Sequence, residues 1–107
     1  MARTNDQKNK KVIARKLASN AGKFKSLGVR KLGLFGSVAQ NRANAKSDID
    51  ILIDFEPGHE TYENLLDIYD LLKKLLGGKI DLVTTGGLSP YIGPHILREV
   101  EYVKGLS

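Results

Sequence analysis

Residues 48–55 read Asp48-Ile49-Asp50-Ile51-Leu52-Ile53-Asp54-Phe55. An apolar side chain at every second position is the signature of a half-buried strand. Ile49, Ile51, Ile53 and Phe55 take one face; Asp48, Asp50, Leu52 and Asp54 take the other. The branched isoleucines suit a pleated sheet, and Pro57-Gly58 closes the strand with a turn. One face therefore needs a hydrophobic layer against it, while the other carries carboxylates.

The flanking segments supply that layer. After the turn, residues 61–76 carry an apolar stripe of Tyr62, Leu65, Leu66, Tyr69, Leu72, Leu75 and Leu76. Its spacing predicts a helix, with Glu60, Glu63 and Asp67 favouring the N-terminal half. Gly77-Gly78 stops it. Residues 79–84, Lys79-Ile80-Asp81-Leu82-Val83-Thr84, form a further strand, followed by a Thr85-Gly86-Gly87 turn. A last helical segment is expected from Ser89-Pro90 to about Lys104, broken at Gly93-Pro94.

Upstream, residues 38–47 are small and polar, enough for one or two helical turns and a loop. Residues 31–35 read as a buried strand ending at Gly36-Ser37. From about Lys10 to Leu27, apolar Ile13, Leu17, Ala21, Phe24 and Leu27 recur at helical steps, and Gly28 terminates the pattern. Residues 1 to about 9 are polar and expected to fray. The fold class is thus α/β (α+β): a sheet of three to four strands with helices packed on it, in one domain spanning residues 1–107.

Composition narrows the chemistry. The chain has 107 residues and no cysteine, which excludes disulfides, thiolate zinc sites and a cysteine nucleophile. Two histidines, His59 and His95, are too few for a histidine-rich metal site. No apolar run approaches the roughly 20 residues of a membrane helix. The opening MARTNDQKNKK is charged and lacks an apolar centre, so no secretory signal and no membrane partner are expected, and the compartment expected is the cytoplasm.

The net charge of +5 is uneven. Residues 1–31 hold ten basic residues against the single acid Asp6, a local charge of +9; the remainder carries −4. A basic head suits either a solvated helix face or contact with an acidic partner or nucleic acid. DNA binding has little support, because Phe24 is the only aromatic residue before Phe35 and stacking surfaces are scarce.

Three features carry chemistry. Asp48 and Asp50 lie two residues apart on one strand face, about 6.6 Å between Cα atoms. Such a pair either faces solvent or converges on a hard cation such as magnesium, which favours carboxylates and phosphates. Gly36-Ser37 ends the preceding strand. It is either a plain turn or a place where a phosphate approaches the backbone and meets a hydroxyl donor. Asp81 alternates with Ile80 and Leu82. It is either a solvent-facing acid or a third carboxylate beside the first two, able to act as a general base.

Together, Gly36-Ser37, ten intervening residues, Asp48-x-Asp50, a helix and a lone acid in a hydrophobic strand resemble the nucleotidyltransferase fold of the DNA polymerase beta superfamily. The runs GSVAQNRANAKSDIDILIDF and KIDLVTTGGLSPYIGPHILREVEYV are more closely similar to the minimal nucleotidyltransferases. These are partners of HEPN proteins in toxin–antitoxin pairs. The resemblance spans residues from about 30 to 103.

It implies a small mixed sheet and transfer of AMP from ATP to a tyrosine of a HEPN RNase toxin. It implies magnesium as cofactor, held by Asp48, Asp50 and Asp81, with Asp81 also the base. Gly36 and Ser37 would clamp the triphosphate. Many members carry Ala-Arg-Gly after Gly-Ser-x, whereas Ala39-Gln40-Asn41 stands here and Arg42 follows late. Arg42 is the candidate substitute for nucleotide binding. The alternative is an antitoxin that has lost transfer and inhibits by binding alone. Of the remaining tyrosines, Tyr91 and Tyr102 are expected to pack rather than to serve as partner contacts or self-modification sites.

Overall fold

A computed structural model describes residues 9–107. The expected frayed start therefore lies outside the described residues, except Asn9. That residue caps the first helix, its side chain accepting from the Val12 amide at 3.1 Å.

In chain order the elements are α1 (Lys10–Ala18), α2 (Ala21–Ser26), β1 (Val29–Phe35), α3 (Gly36–Ala39), β2 (Ile49–Phe55), α4 (Tyr62–Leu76), β3 (Ile80–Thr84), α5 (Gly93–Glu99) and β4 (Glu101–Tyr102). A 3-10 turn at Thr85–Gly87 follows β3. The sheet order is β3-β2-β1-β4. β1 runs antiparallel to β2 and β4, and β2 runs parallel to β3, so the sheet is mixed.

The core lies on one sheet face. Leu32 pairs with Ile53 and Leu34 with Ile51 across β1 and β2. Against the sheet pack Ile13, Leu17 and Phe24 from the first two helices and Ile68, Leu72 and Leu76 from α4. Each such side chain, fully withdrawn from water, contributes about 1.5–3 kcal/mol.

Four expectations are corrected. The helix expected over residues 10–27 is two helices. The Asn20 side chain donates to the Lys16 carbonyl at 2.8 Å and its amide turns onto Leu17 O at 3.1 Å, drawing the backbone out of helix. Phe24 still reaches the core from α2. Second, the α4 stripe is rotated: Ile68 is 0% exposed, whereas Tyr62 and Leu66 are 76% and 44% exposed and Tyr69 is exposed as well. Tyr62, Leu66 and Tyr69 keep helical spacing but lie one side off the buried line.

Third, the last helix is only α5, and the chain then forms β4. Gly33 makes room for that strand, since a Cβ there would stand 2.5 Å from Val100 Cγ2. Lys10 pairs with Glu101 at 3.1 Å and Lys31 lies 5.3 Å from the Tyr102 ring centre, holding β4 from outside. Fourth, Tyr91 is 84% exposed rather than packed, and Tyr102 is exposed as well.

The rotated stripe has a direct test by chemical denaturation. Ile68→Ala should cost about 3 kcal/mol, and Leu66→Ala less than about 1 kcal/mol. Equal losses would contradict the observed helix orientation. Among the described residues no helix is long and apolar enough to cross a membrane.

Candidate active site

The sheet face opposite the core carries the acids. Asp50 and Asp81 stand directly opposite each other across β2 and β3. The parity of the two strands brings them together, as expected. Asp50 is half-buried, and its carboxyl is pushed up to about 6. Burial is the first cause; the charge of Asp81, a hydrogen bond with Asp81 and the charge of Asp48 follow. Asp48 stands one residue before β2, exposed, and acts on Asp50 least. Among the described residues no three acidic or histidine side chains form a group ready to hold a metal ion. The acids that meet are Asp50 and Asp81, with Asp48 beside them.

Gly36 closes another side of Asp50. Its φ is +73°, in the left-handed region that glycine enters without strain. A Cβ at this position would stand 2.1 Å from Asp50 Oδ2. The end of β1 and the acid of β2 therefore touch, leaving no space for any other residue type. Ser37 follows in α3, a single turn whose first two carbonyls accept from Gln40 and Arg42: Gln40 N to Gly36 O at 3.1 Å and Arg42 N to Ser37 O at 2.8 Å.

The segment that departs from the Ala-Arg-Gly pattern has a geometry of its own. Asn41 adopts φ +58° and is the only non-glycine residue with positive φ among those described. Asparagine is one of the few residues that tolerate this region, so Asn41 serves where the pattern has glycine. Arg42 is exposed, and its guanidinium donates to Gln40 Oε1. A guanidinium thus sits on the side chain that replaces the pattern's arginine.

One group was not legible from the sequence. Asp54, two same-face positions beyond Asp50, accepts from Arg30 of β1 at 2.9 Å (Nε) and 2.6 Å (Nη2). Its other oxygen accepts from Thr85 Oγ1 at 2.8 Å. Burial pushes the Asp54 carboxyl up, but the bonds from Arg30 and Thr85 and the charges of Arg30 and Lys31 outweigh it and hold it below the usual range. The period-two pattern put Asp54 on the correct face; nothing in it named partners 24 and 31 residues away. His95 has Arg98 Nη2 3.1 Å from its Nδ1. His59 is exposed.

Comparison with known proteins agrees with this arrangement. Residues 15–103 match the family model described as nucleotidyltransferase domain. The protein adenylyltransferase MntA of Thermococcus cleftensis is 41% identical over 76 residues, covering 71% of this chain and 76% of that protein. A Methanocaldococcus jannaschii chain assigned as a protein adenylyltransferase is 42% identical over 78 residues, covering 70% and 76%. A solved structure assigned as a minimal nucleotidyltransferase superposes with a TM-score of 0.65 at 33% identity, over 82% of this chain and 93% of that one. A toxin–antitoxin crystal structure with AMP-PNP, 21% identical, has the same fold with a TM-score of 0.61 over 78% and 72% of the two chains. With its acids, glycine turn and mixed sheet in these places, the chain belongs to the nucleotidyltransferase domain family, among the minimal nucleotidyltransferases.

Proposed function

We propose that this protein is an antitoxin that transfers AMP from ATP to a tyrosine of a HEPN-type RNase toxin, in the cytoplasm. The observation that carries the reading is the Asp50–Asp81 pair, crowded against Gly36 on the sheet face opposite the core. The adenylyltransferase names of its relatives support AMP as the transferred group. The toxin–antitoxin neighbour supports the reading at the level of the fold.

In the proposed reaction the tyrosine oxygen attacks the α-phosphorus of ATP. A new phosphorus–oxygen bond forms, the bond to the β-phosphate bridging oxygen breaks, and pyrophosphate leaves. Asp81, the exposed member of the pair, takes the phenolic proton. The backbone at Gly36 and the Ser37 hydroxyl meet the triphosphate, and Arg42, clasped to Gln40, offers it a positive charge. The donor set fits magnesium: it is all hard oxygen, and a cation between Asp50 and Asp81 would relieve the repulsion of two facing carboxylates. Asp48, Asp50 and Asp81 would hold it, and when bound it supplies neutralising charge to the phosphates.

Inhibition by binding alone would draw its support from the Gln40-Asn41 departure. The left-handed Asn41 and the placement of Arg42 on Gln40 favour a working site instead. The exposed basic residues Lys11, Arg15, Lys16, Lys23 and Lys25 can steer an acidic partner. Incubation with α-labelled ATP, magnesium and the toxin tests the reading. Label retained on the toxin through denaturation is expected, and an unlabelled but inhibited toxin would favour the binder.

A further inference from the structure

The β2–β3 pair carries three successive same-face rungs. Asp50 faces Asp81 and Leu52 faces Val83 in the ladder, and beyond them Asp54 bonds to Thr85 through its side chain. The last rung differs from the first. Asp50 and Asp81 push each other apart unless a proton or cation intervenes. Asp54 instead attracts: one oxygen takes the Thr85 hydroxyl and the other takes Arg30 from the strand on its far side. Arg30, Asp54 and Thr85 therefore tie β1, β2 and the end of β3 together.

β3 is an edge strand, and none of its five residues is fully buried, although Ile80 and Leu82 pack against the core. That packing opposes a slip of one residue, but a slip of two keeps the same side chains inward and is opposed less. A one-residue slip would turn Asp81 to the opposite face, and a two-residue slip would move it about 6.6 Å along the strand. The 3-10 turn that carries Thr85 is itself closed by the Gly87 amide donating to Thr84 Oγ1 at 3.1 Å, so its position passes into β3 without slack.

We propose that Asp54, bridging Arg30 and Thr85, is a positioning residue that sets the register in which Asp81 stands opposite Asp50. It does not touch the reacting atoms. The catalytic consequence rests on the transferase reading above, whereas the structural consequence does not.

The test uses the full chain with Thr85→Val, which removes the hydroxyl and leaves the Arg30–Asp54 pair, and Thr85→Ser as the conservative rescue. Amide hydrogen exchange is read at residues 82–84 and at Leu32 and Leu34 of β1, beside transfer kinetics with ATP and toxin. For Thr85→Val, exchange at 82–84 should quicken about tenfold while Leu32 and Leu34 stay unchanged. Turnover should fall about tenfold with KM for ATP within about twofold, and serine should restore both. Unchanged exchange at 82–84, equal acceleration in β1, or failure of serine to restore would overturn the proposal. If the wild-type chain transfers no nucleotide but β3 alone loosens and serine tightens it, the transferase reading fails and the positioning role stands.

Discussion

Asp50→Asn lowers AMP transfer about a thousandfold and leaves the fold intact or more stable. The carboxyl lies at the centre of the site, close against Gly36 and facing Asp81, so its charge stands between the glycine turn and the second acid. The stability effect follows from linkage. Folding raises the Asp50 pKa from 3.8 to about 6, so the folded state holds the proton more tightly than the unfolded chain. Its contribution is fully present below about pH 4 and is lost as pH rises through about 6. Asparagine cannot ionise and escapes that loss. A shift of one unit is about 1.4 kcal/mol; screening at this half-exposed site reduces the gain at pH 7 to about 1–2 kcal/mol. Without divalent cations, denaturation of the two proteins should differ at pH 7 and converge near pH 4. A variant less stable at pH 7 would make Asp50 a structural residue.

Gly36→Ala is the second large effect. Alanine at φ +73° costs about 1–2 kcal/mol in backbone strain alone. Its Cβ would also fall 2.1 Å from Asp50 Oδ2, so the carboxylate must move. Displacing a reacting group by about 1 Å costs about a hundredfold in rate. The family resemblance gives Gly36 a part in the triphosphate clamp, which predicts weaker ATP binding. The contact with Asp50 adds a loss of turnover. Calorimetry with ATP and magnesium, beside steady-state rates, separates the two routes. Retained affinity and retained turnover together would remove Gly36 from the site.

Much of this was legible because period-two alternation is a local signal. Residues 49–55 and 80–84 announce themselves by branched residues and parity; parity turned Asp50 and Asp81 each away from its apolar neighbours, and the resemblance put them in one site. β4 was not legible: its two residues, Glu101 and Tyr102, are a strand only because Gly33 and Leu34 accept them as partners. The break at Ser19-Asn20 was hidden because the apolar spacing runs through it without a gap. On α4, seven apolar positions exceed what one buried stripe can use. The sequence pattern therefore admitted Tyr62, Leu66 and Tyr69 and passed over Ile68. Asp54 was placed by its face alone, since its partners come from β1 and from the turn after β3. Asn41 was read only as part of the departure from Ala-Arg-Gly; its φ is positive, a conformation that glycine enters without strain.

The most direct test is intact-mass spectrometry of the HEPN-type toxin after incubation with this protein, magnesium and ATP, followed by separation of the two chains. The account predicts a gain of about 329 Da per AMP on a toxin tyrosine, absent with Asp50→Asn, and RNase activity still lost after the antitoxin is removed. A toxin of unchanged mass that recovers its activity on separation would contradict it.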